Sequence, residues 1–563
     1  MHDPKNPKSP QLSTRLMNSE TEHRLYTSST LLQWLALLLL TLLVLDVEVI
    51  FSTEYFIGGD TRDTFDHIAL IDLWQTETSF WNFPEGGSVL PPDFFGMLFA
   101  APFLSLGRGI AYDLSIVIQI WCNAMSGWFL GWNIGEERKA GVAWVGAIAI
   151  GFSPYVLGQV NSGEMETLSI WPLVLFCVAI SRQRWREAGV WATITAIGSW
   201  YYGAYAAILL CLMVGVTLCR ERFTSMKPLE GIGIFAVLIA GPAFIYASFL
   251  HKTDQMFRGP TMRDYLEEQP RALAGFSSDP LAWFSEPAAD ANHVDSLGWV
   301  FLLFAGLGFW RASRQFRFFW GVLLGIGLVL SLGPRLHISQ VAIWEWMPYD
   351  LLILIPPLDL MRLPHRWIAI AMIALGAMIV KGARNLPVLA SMLLLGESIW
   401  FVLPQREATE VKLPEVIAYF EGPVLQLPAR TMEEDARGPY LVMQREHGQP
   451  IPYSLLMQGW SMAISEEPLV IGVSSLDSSD PISSRPAEAR QFRQEDFAMA
   501  VAAWHDDDQV IGAGDRLKAK GFSQVCLHLD RLPKQDIQSI KELVEKGLGE
   551  PDIRTAEALL WNL

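Results

Sequence analysis

Three carboxylates follow the first apolar stretch at a three-residue spacing. Asp60, Asp63 and Asp66 lie in the run Gly58-Gly59-Asp60-Thr61-Arg62-Asp63-Thr64-Phe65-Asp66-His67. If this segment winds into a helix, Asp60 shares a face with Asp63, and Asp63 with Asp66. Clustered carboxylates raise one another's pKa, and one held at the edge of a dry cavity can take a proton from a hydroxyl. The same residues also suit a plain helix N-terminus, where capping and the macrodipole favour Asp. A second group comes late in the chain, in Leu360-Met361-Arg362-Leu363-Pro364-His365-Arg366-Trp367. Arg362, His365 and Arg366 stand at the mouth of a helix that starts near Pro364. Two guanidinium groups beside free N–H groups suit a phosphate.

Three further stretches could contribute binding groups. Trp81-Asn82-Phe83-Pro84-Glu85-Gly86-Gly87 reads as a turn with aromatic anchors, and Asp93 follows it. Asn161-Ser162-Gly163-Glu164-Met165-Glu166 is a tight turn between apolar runs; Glu166 can point back between helices, or both glutamates can stay in water. Trp200-Tyr201-Tyr202-Gly203-Ala204-Tyr205 is either an interfacial aromatic belt or a stacking platform for a sugar or lipid-linked headgroup.

What must position these residues is a membrane. An apolar fraction of 51% with 22 Trp and 30 Phe exceeds the needs of a soluble core, and the apolar residues fall in blocks of roughly 20, the length that crosses a bilayer. Crossings are expected near 31–51, 114–133, 140–160, 165–181, 187–201, 203–219, 229–250, 297–311, 317–333, 364–381 and 386–403, eleven in all. The basic connections at 135–139, 182–186, 220–227, 311–317 and 381–384 then share one side, which the positive-inside rule makes cytoplasmic. The N-terminal segment 1–30 is placed on that side too, with Leu31 to Phe51 an uncleaved first helix. The acidic loops, including 52–113, face outward. Phe94 to Leu106 would break the alternation as a crossing, so it is expected as an interfacial or re-entrant helix. Ile343 to Ile355, interrupted by Glu345, Pro348 and Asp350, is expected as broken helix walling a cavity.

Residues 31–403 therefore form a transmembrane domain, and 404–563 an external α/β domain. Its cues are strands at 424–427, 524–529 and 558–563 and a helix at 535–547. The net charge of −17 is concentrated there, with 26 acidic against 16 basic residues from 404 onward; an acidic soluble part argues against nucleic-acid binding. His447, His505 and His528 are scattered, Asp506 to Asp508 suits a solvated loop, and five cysteines without CxxC spacing indicate neither zinc nor a disulfide framework.

As a string of motifs the chain resembles bacterial membrane proteins of the GT-C glycosyltransferase superfamily. The resemblance rests on Gly59-Asp60 with Asp63, Asn82-Phe83-Pro84-Glu85-Gly86-Gly87, Pro102-Phe103-Leu104-Ser105-Leu106-Gly107, Phe152-Ser153-Pro154-Tyr155 through Thr167, Trp200-Tyr201-Tyr202-Gly203 and Arg362-Leu363-Pro364-His365-Arg366. It covers about residues 25–403, with a looser likeness in Gly422-Pro423-Val424-Leu425-Gln426-Leu427-Pro428 and the closing strands. It implies a GT-C-like helical fold in a bacterial plasma membrane, a polyprenyl-phosphate-linked sugar as donor, and a glycan, lipid or protein as acceptor. Carried onto this sequence, Asp60 or Asp63 would be the catalytic base, and Arg362 and Arg366 would hold the donor phosphate. Asp66, His67, Asp93, Glu164, Glu166, Trp200, Tyr201, Tyr202 and His365 complete the candidate substrate-binding set. The loop lacks an Asp-Xaa-Asp, so no metal or other cofactor is called for. Two competing readings remain: a flippase or transporter of lipid-linked saccharides, which needs ionisable groups buried within the spans, and a non-catalytic envelope assembly protein acting through its C-terminal domain.

Overall fold

The computed structural model describes residues 30–45, 47–52, 55–59, 62–71, 93–135, 140–220, 226–252, 262–263, 266, 277–284, 296–339, 341–355, 358–359, 361–402, 408–410, 413–429, 434–453, 462–479 and 495–563. Five helices are long and apolar enough to cross a membrane: Arg108–Ile134, Ala140–Ser162, Trp200–Arg220, Lys227–Phe244 and Pro364–Gly382. The other expected crossings are realised as shorter or less apolar helices among the described residues, including Thr30–Leu45, Met165–Ser181, Trp299–Arg311 and Pro387–Trp400. Two local causes account for part of the difference from eleven. Trp185–Gly198 stops after 14 residues at Ser199, whose backbone turns extended. Arg314–Ser331 carries Arg314 and Arg317 in its first turn.

The bundle is assembled around Ile368–Gly382, whose side chains are buried almost throughout. A helix so enclosed must be apolar all round, and this one is. Small residues let its neighbours approach closely, the packing that replaces a hydrophobic drive in lipid. Gly308 lies against the Met378 carbonyl and Gly382, and Gly327 against Ala371. Likewise Gly127 abuts Gly146 where Arg108–Ile134 meets Ala140–Gly151.

Two predicted irregular segments resolve differently. Phe94–Ala100 is a short helix capped by Asp93, continuing as the 3-10 turn Ala101–Leu106, and Gly107 at φ 110° redirects the chain into Arg108–Ile134; the expectation there is an interfacial or re-entrant helix. In place of the broken helix expected from Ile343, Leu336–Ile338 and Val341–Trp344 pair as an antiparallel hairpin, followed by the single helical turns of Tyr349–Ile353. The β-branched Val341 and Ile343 favour the extended form.

In the C-terminal α/β region, four strands stand in the order Val424–Leu427, Gln524–His528, Ala558–Asn562, Ile553–Arg554. The first pair is parallel and the others antiparallel. Every residue of Gln524–His528 is buried, as a central strand covered on both faces requires. The helix Ile537–Leu548 turns Ile540, Leu543 and Val544 toward the core.

This region is locked to the bundle through the first loop. Tyr55–Ile57 pairs antiparallel with Ala408–Glu410, Tyr55 opposite Glu410. The helix Glu434–His447 packs on Arg62–Leu70. Ala69 and Met97 belong to the hydrophobic core of the α/β region. At the start of Arg108–Ile134, Arg108 Nη1 donates to the Arg445 carbonyl at 2.7 Å and pairs with Glu446 at 3.1 Å.

Candidate functional site

One buried network joins three segments that are distant in sequence. His67 Nε2, on Arg62–Leu70, lies 3.0 Å from Glu166 Oε2. Arg366 Nη2 donates to Glu166 Oε1 at 2.9 Å and to Glu164 Oε2 at 3.0 Å. The guanidinium also sits 4.3 Å over the ring of Tyr201, a cation–π contact that counts for most when desolvated. A carboxylate only accepts, so with Glu166 ionised the His67 proton resides on Nε2.

The local sequence explains why the glutamates turn inward. Ser153 caps Pro154–Ser162, and Gly163 ends that helix in the left-handed conformation, φ 73°, its N–H bonding to the carbonyls of Gln159 and Val160. Glycine takes this conformation without the Cβ penalty. The chain then reverses into Met165–Leu168, which buries Glu164 and draws Glu166 into the bundle. Thr167 holds the turn from inside: its Oγ1 donates to the Glu164 carbonyl at 3.0 Å and meets Gln159 Oε1.

The first loop docks on this turn backbone to backbone. Gly59 N–H donates to the Asn161 carbonyl at 2.8 Å, and Ile57 N–H donates to Asp113 Oδ1 at 2.9 Å. Buried Thr64 fills the space between Gly58 and Gly163, where a Cβ on either glycine would collide with its hydroxyl. Asp60 itself lies outside the described residues, as do the side chains of Asp63 and Asp66, whose backbone belongs to Arg62–Leu70.

Burial decides the electrostatics. Asp93 is pushed up to about 7, chiefly by desolvation, against the pull of His67 and the Gly96 N–H. Its Oδ1 accepts from Gly96 N at 2.8 Å. Burial also raises the Glu164 carboxyl, opposed by Arg366 and reinforced by the charge on Glu166. The Nε and Nη1 nitrogens of Arg366 have no hydrogen-bond partner among the described residues. Buried donors of this kind call for water or a ligand.

The structure thus gathers His67, Glu164, Glu166, Tyr201 and Arg366, with Asp93 close enough to feel the charges of His67 and Glu166. Tyr202 lies behind them: its hydroxyl donates to the Thr167 carbonyl at 2.6 Å and is 2.7 Å from the Tyr155 hydroxyl. Trp200 is exposed. His365 is buried beside Arg366, and Arg362 is half-buried at the mouth. Tyr155, Gln159 and Thr167 fall in the stretch that carries the resemblance but were not assigned to the site, and Asp113 was not singled out from sequence. Asp113 had a usable signal, an acidic residue inside a long apolar helix. Among the described residues, no group of three or more His, Cys, Asp or Glu could hold a metal ion.

Fold and site together define a largely α-helical polytopic membrane protein with a C-terminal α/β region and a buried ionic network at one end of its bundle. No family model and no curated protein matches the chain. Among solved structures, the apo form of an oligosaccharyltransferase from Archaeoglobus fulgidus is similar with a TM-score of 0.43 at 11% identity, covering 88% of this chain and 70% of that one.

Proposed function

We propose that this protein transfers a sugar from a polyprenyl phosphate to an acceptor at the external face of a bacterial plasma membrane, crossing it eleven times with its N-terminus in the cytoplasm. The acceptor hydroxyl oxygen attacks the anomeric carbon as the bond to the phosphate oxygen breaks, with inversion. Asp60 or Asp63 takes the hydroxyl proton, and the polyprenyl phosphate leaves with the bonding electrons. Arg362 at the mouth and the two open nitrogens of Arg366 meet the donor phosphate, while the apolar spans accommodate the prenyl chain.

The observation that carries this reading is the His67–Glu166–Arg366–Glu164 network. It joins the segment bearing the candidate bases to the segment bearing the candidate phosphate ligands, in one water-poor place. His67 and Glu166 act as positioning residues here, fixing the helix that carries Asp63 relative to Arg366.

The test uses full-length protein in proteoliposomes, offered radiolabelled sugars on polyprenyl phosphate and a panel of glycan and lipid acceptors. Asp60→Asn or Asp63→Asn should lower transfer by on the order of a hundredfold or more, with expression and membrane insertion unchanged. Full transfer by both variants removes the proposed base. Movement of labelled lipid across the bilayer without sugar transfer would replace the reading with that of a flippase.

A further inference from the structure

A cavity opens at the other end of the bundle, around Lys381. Its volume is about 780 Å³, and it is walled by residues from each end-region that carries a basic connection: Asn133 and Ile134, Arg182 and Gln183, Arg220, Ser313 and Gln315, and Lys381. Three cations, Arg182, Arg220 and Lys381, line it. A smaller adjoining cavity of about 480 Å³ shares Asn133, Ile134 and Arg182 and adds Arg184. Away from the cations the wall is aliphatic and aromatic, with Leu212, Val216 and Phe318 exposed on the outside of the helices.

The basic rim is held in place. Arg182 Nη2 donates to the Asn133 carbonyl at 2.7 Å, and the Lys381 ammonium lies 5.5 Å over the Phe316 ring. The turn between them is strained: Gln183 sits at φ 57°, a left-handed conformation unusual for a residue with a long side chain. Arg184 N–H bonds back to the Ala179 carbonyl at 2.9 Å and keeps this turn tight. Strain of this kind persists where the surroundings fix a functional geometry.

We propose that this cavity binds one anionic glycerophospholipid of the cytoplasmic leaflet. Its phosphate sits among Arg182, Arg220 and Lys381, and an acyl chain lies along Leu212, Val216 and Phe319. The volume falls within the range of small-ligand sites. A cationic head beside an apolar wall that opens laterally suits an amphiphile, where a free phosphate would leave the wall unfilled. Basic pockets between helices on the cytoplasmic side are a recognised place for anionic headgroups. The site is separate from the His67–Glu166–Arg366 network and stands whether or not sugar transfer does.

Native mass spectrometry of the full-length protein, released from nanodiscs of equimolar phosphatidylglycerol and phosphatidylcholine, tests it. Wild type should retain one phosphatidylglycerol with a preference on the order of a hundredfold, each cation near the surface contributing about fivefold. The triple variant Arg182→Gln, Arg220→Gln, Lys381→Gln should approach parity. Arg186→Gln, which removes an exposed cation of the same end outside the cavity, should keep the preference. Val216→Trp, which fills the chain groove without touching charge, should lose the adduct even if the triple variant fails to fold. Equal retention of the two lipids by wild type overturns the proposal, as does equal loss in Arg186→Gln. Displacement of phosphatidylglycerol by stoichiometric undecaprenyl phosphate overturns the choice of ligand.

Discussion

Replacing Arg366 with Met removes the one cation shared by two buried carboxylates while keeping a side chain of similar length. In the native protein Arg366 Nη2 makes two charge-assisted bonds, at 2.9 and 3.0 Å, each contributing about 1.5–3 kcal/mol net. The cation–π contact to Tyr201 at 4.3 Å adds up to about 2 kcal/mol when desolvated. The sum overstates the loss, because burial already pushes Glu164 toward its protonated form. Once the guanidinium is gone, that glutamate takes a proton and only Glu166 is left as an uncompensated charge, still bonded to His67. Removing one partner of a buried pair costs about 3–5 kcal/mol, and that is the expected loss here. The assay is equilibrium unfolding of the full-length protein in mixed micelles at neutral pH, followed by tryptophan fluorescence. Arg366→Met combined with Glu164→Gln and Glu166→Gln should return to within about 1 kcal/mol of wild type, since a neutral cluster of similar shape avoids the desolvation penalty. The same triple variant should show no sugar transfer, which separates stability from function. A loss below about 1 kcal/mol in Arg366→Met, or a triple variant no more stable than the single one, would show that water solvates these charges and would refute the reasoning.

Three other perturbations have defined outcomes. Gly163→Ala forces a Cβ into the Thr64 hydroxyl at φ 73° and should cost at least about 1–2 kcal/mol from the left-handed backbone alone, together with loss of any activity that needs the first loop docked; near-native unfolding would show that the turn adapts. Asp93 binds its proton more tightly folded, at about 7 against 3.8 unfolded, so its contribution is fully present below pH 3.8 and is lost as pH rises through 7. The change is on the order of 4 kcal/mol, and Asp93→Asn, which keeps an acceptor for Gly96 N–H, should flatten unfolding profiles over that window. His447 runs the other way: burial lowers it to about 4, and its Nδ1 accepts from Gln449 N–H. Stability is therefore present above pH 6.5 and falls as pH drops through 4, by on the order of 3 kcal/mol, a slope that His447→Gln should remove.

How much of this was legible in the sequence depended on the range of the forces involved. The α/β region was readable because short runs such as Val424–Leu427 and Gln524–His528 are long enough to be strands and too short to be buried helices. The grouping of basic connections was also readable, and Arg182, Arg220 and Lys381 do meet around one cavity. Span number was less so. A hydropathy window does not register Ser199, whose extended backbone stops Trp185–Gly198, or the reversal at Ser169 and Ile170 between Met165–Leu168 and Trp171–Ser181. Glu166 could be read as a solvated turn because its inward direction depends on Gly163, and Asn-Ser-Gly at a helix end was the available sign of a left-handed cap. Within Ile343 to Ile355 the β-branched Ile343 favours an extended chain, but that preference is too weak by itself to separate a hairpin from a broken helix. Hydrogen bonds to the preceding strand decide that, and they join residues whose pairing only the fold supplies.

The longest-range feature had no local sign at all, and the site depends on it. Arg62–Leu70 is nine residues long, too short to hold itself helical in water, where isolated helices under roughly 12–15 residues are marginal. Its order comes from three directions. Thr64 wedges between Gly58 of the first loop and Gly163 of the bundle, His67 reaches Glu166, and Ala69 enters the core of the α/β region beneath Glu434–His447. The strand pairing of Tyr55–Ile57 with Ala408–Glu410 closes the fourth side. The backbone carrying Asp63 and Asp66 is therefore a product of both parts of the protein, and the C-terminal region fixes the place of that helix as directly as the membrane helices do. This physical dependence ties the acidic α/β region to the helix that carries the candidate carboxylates.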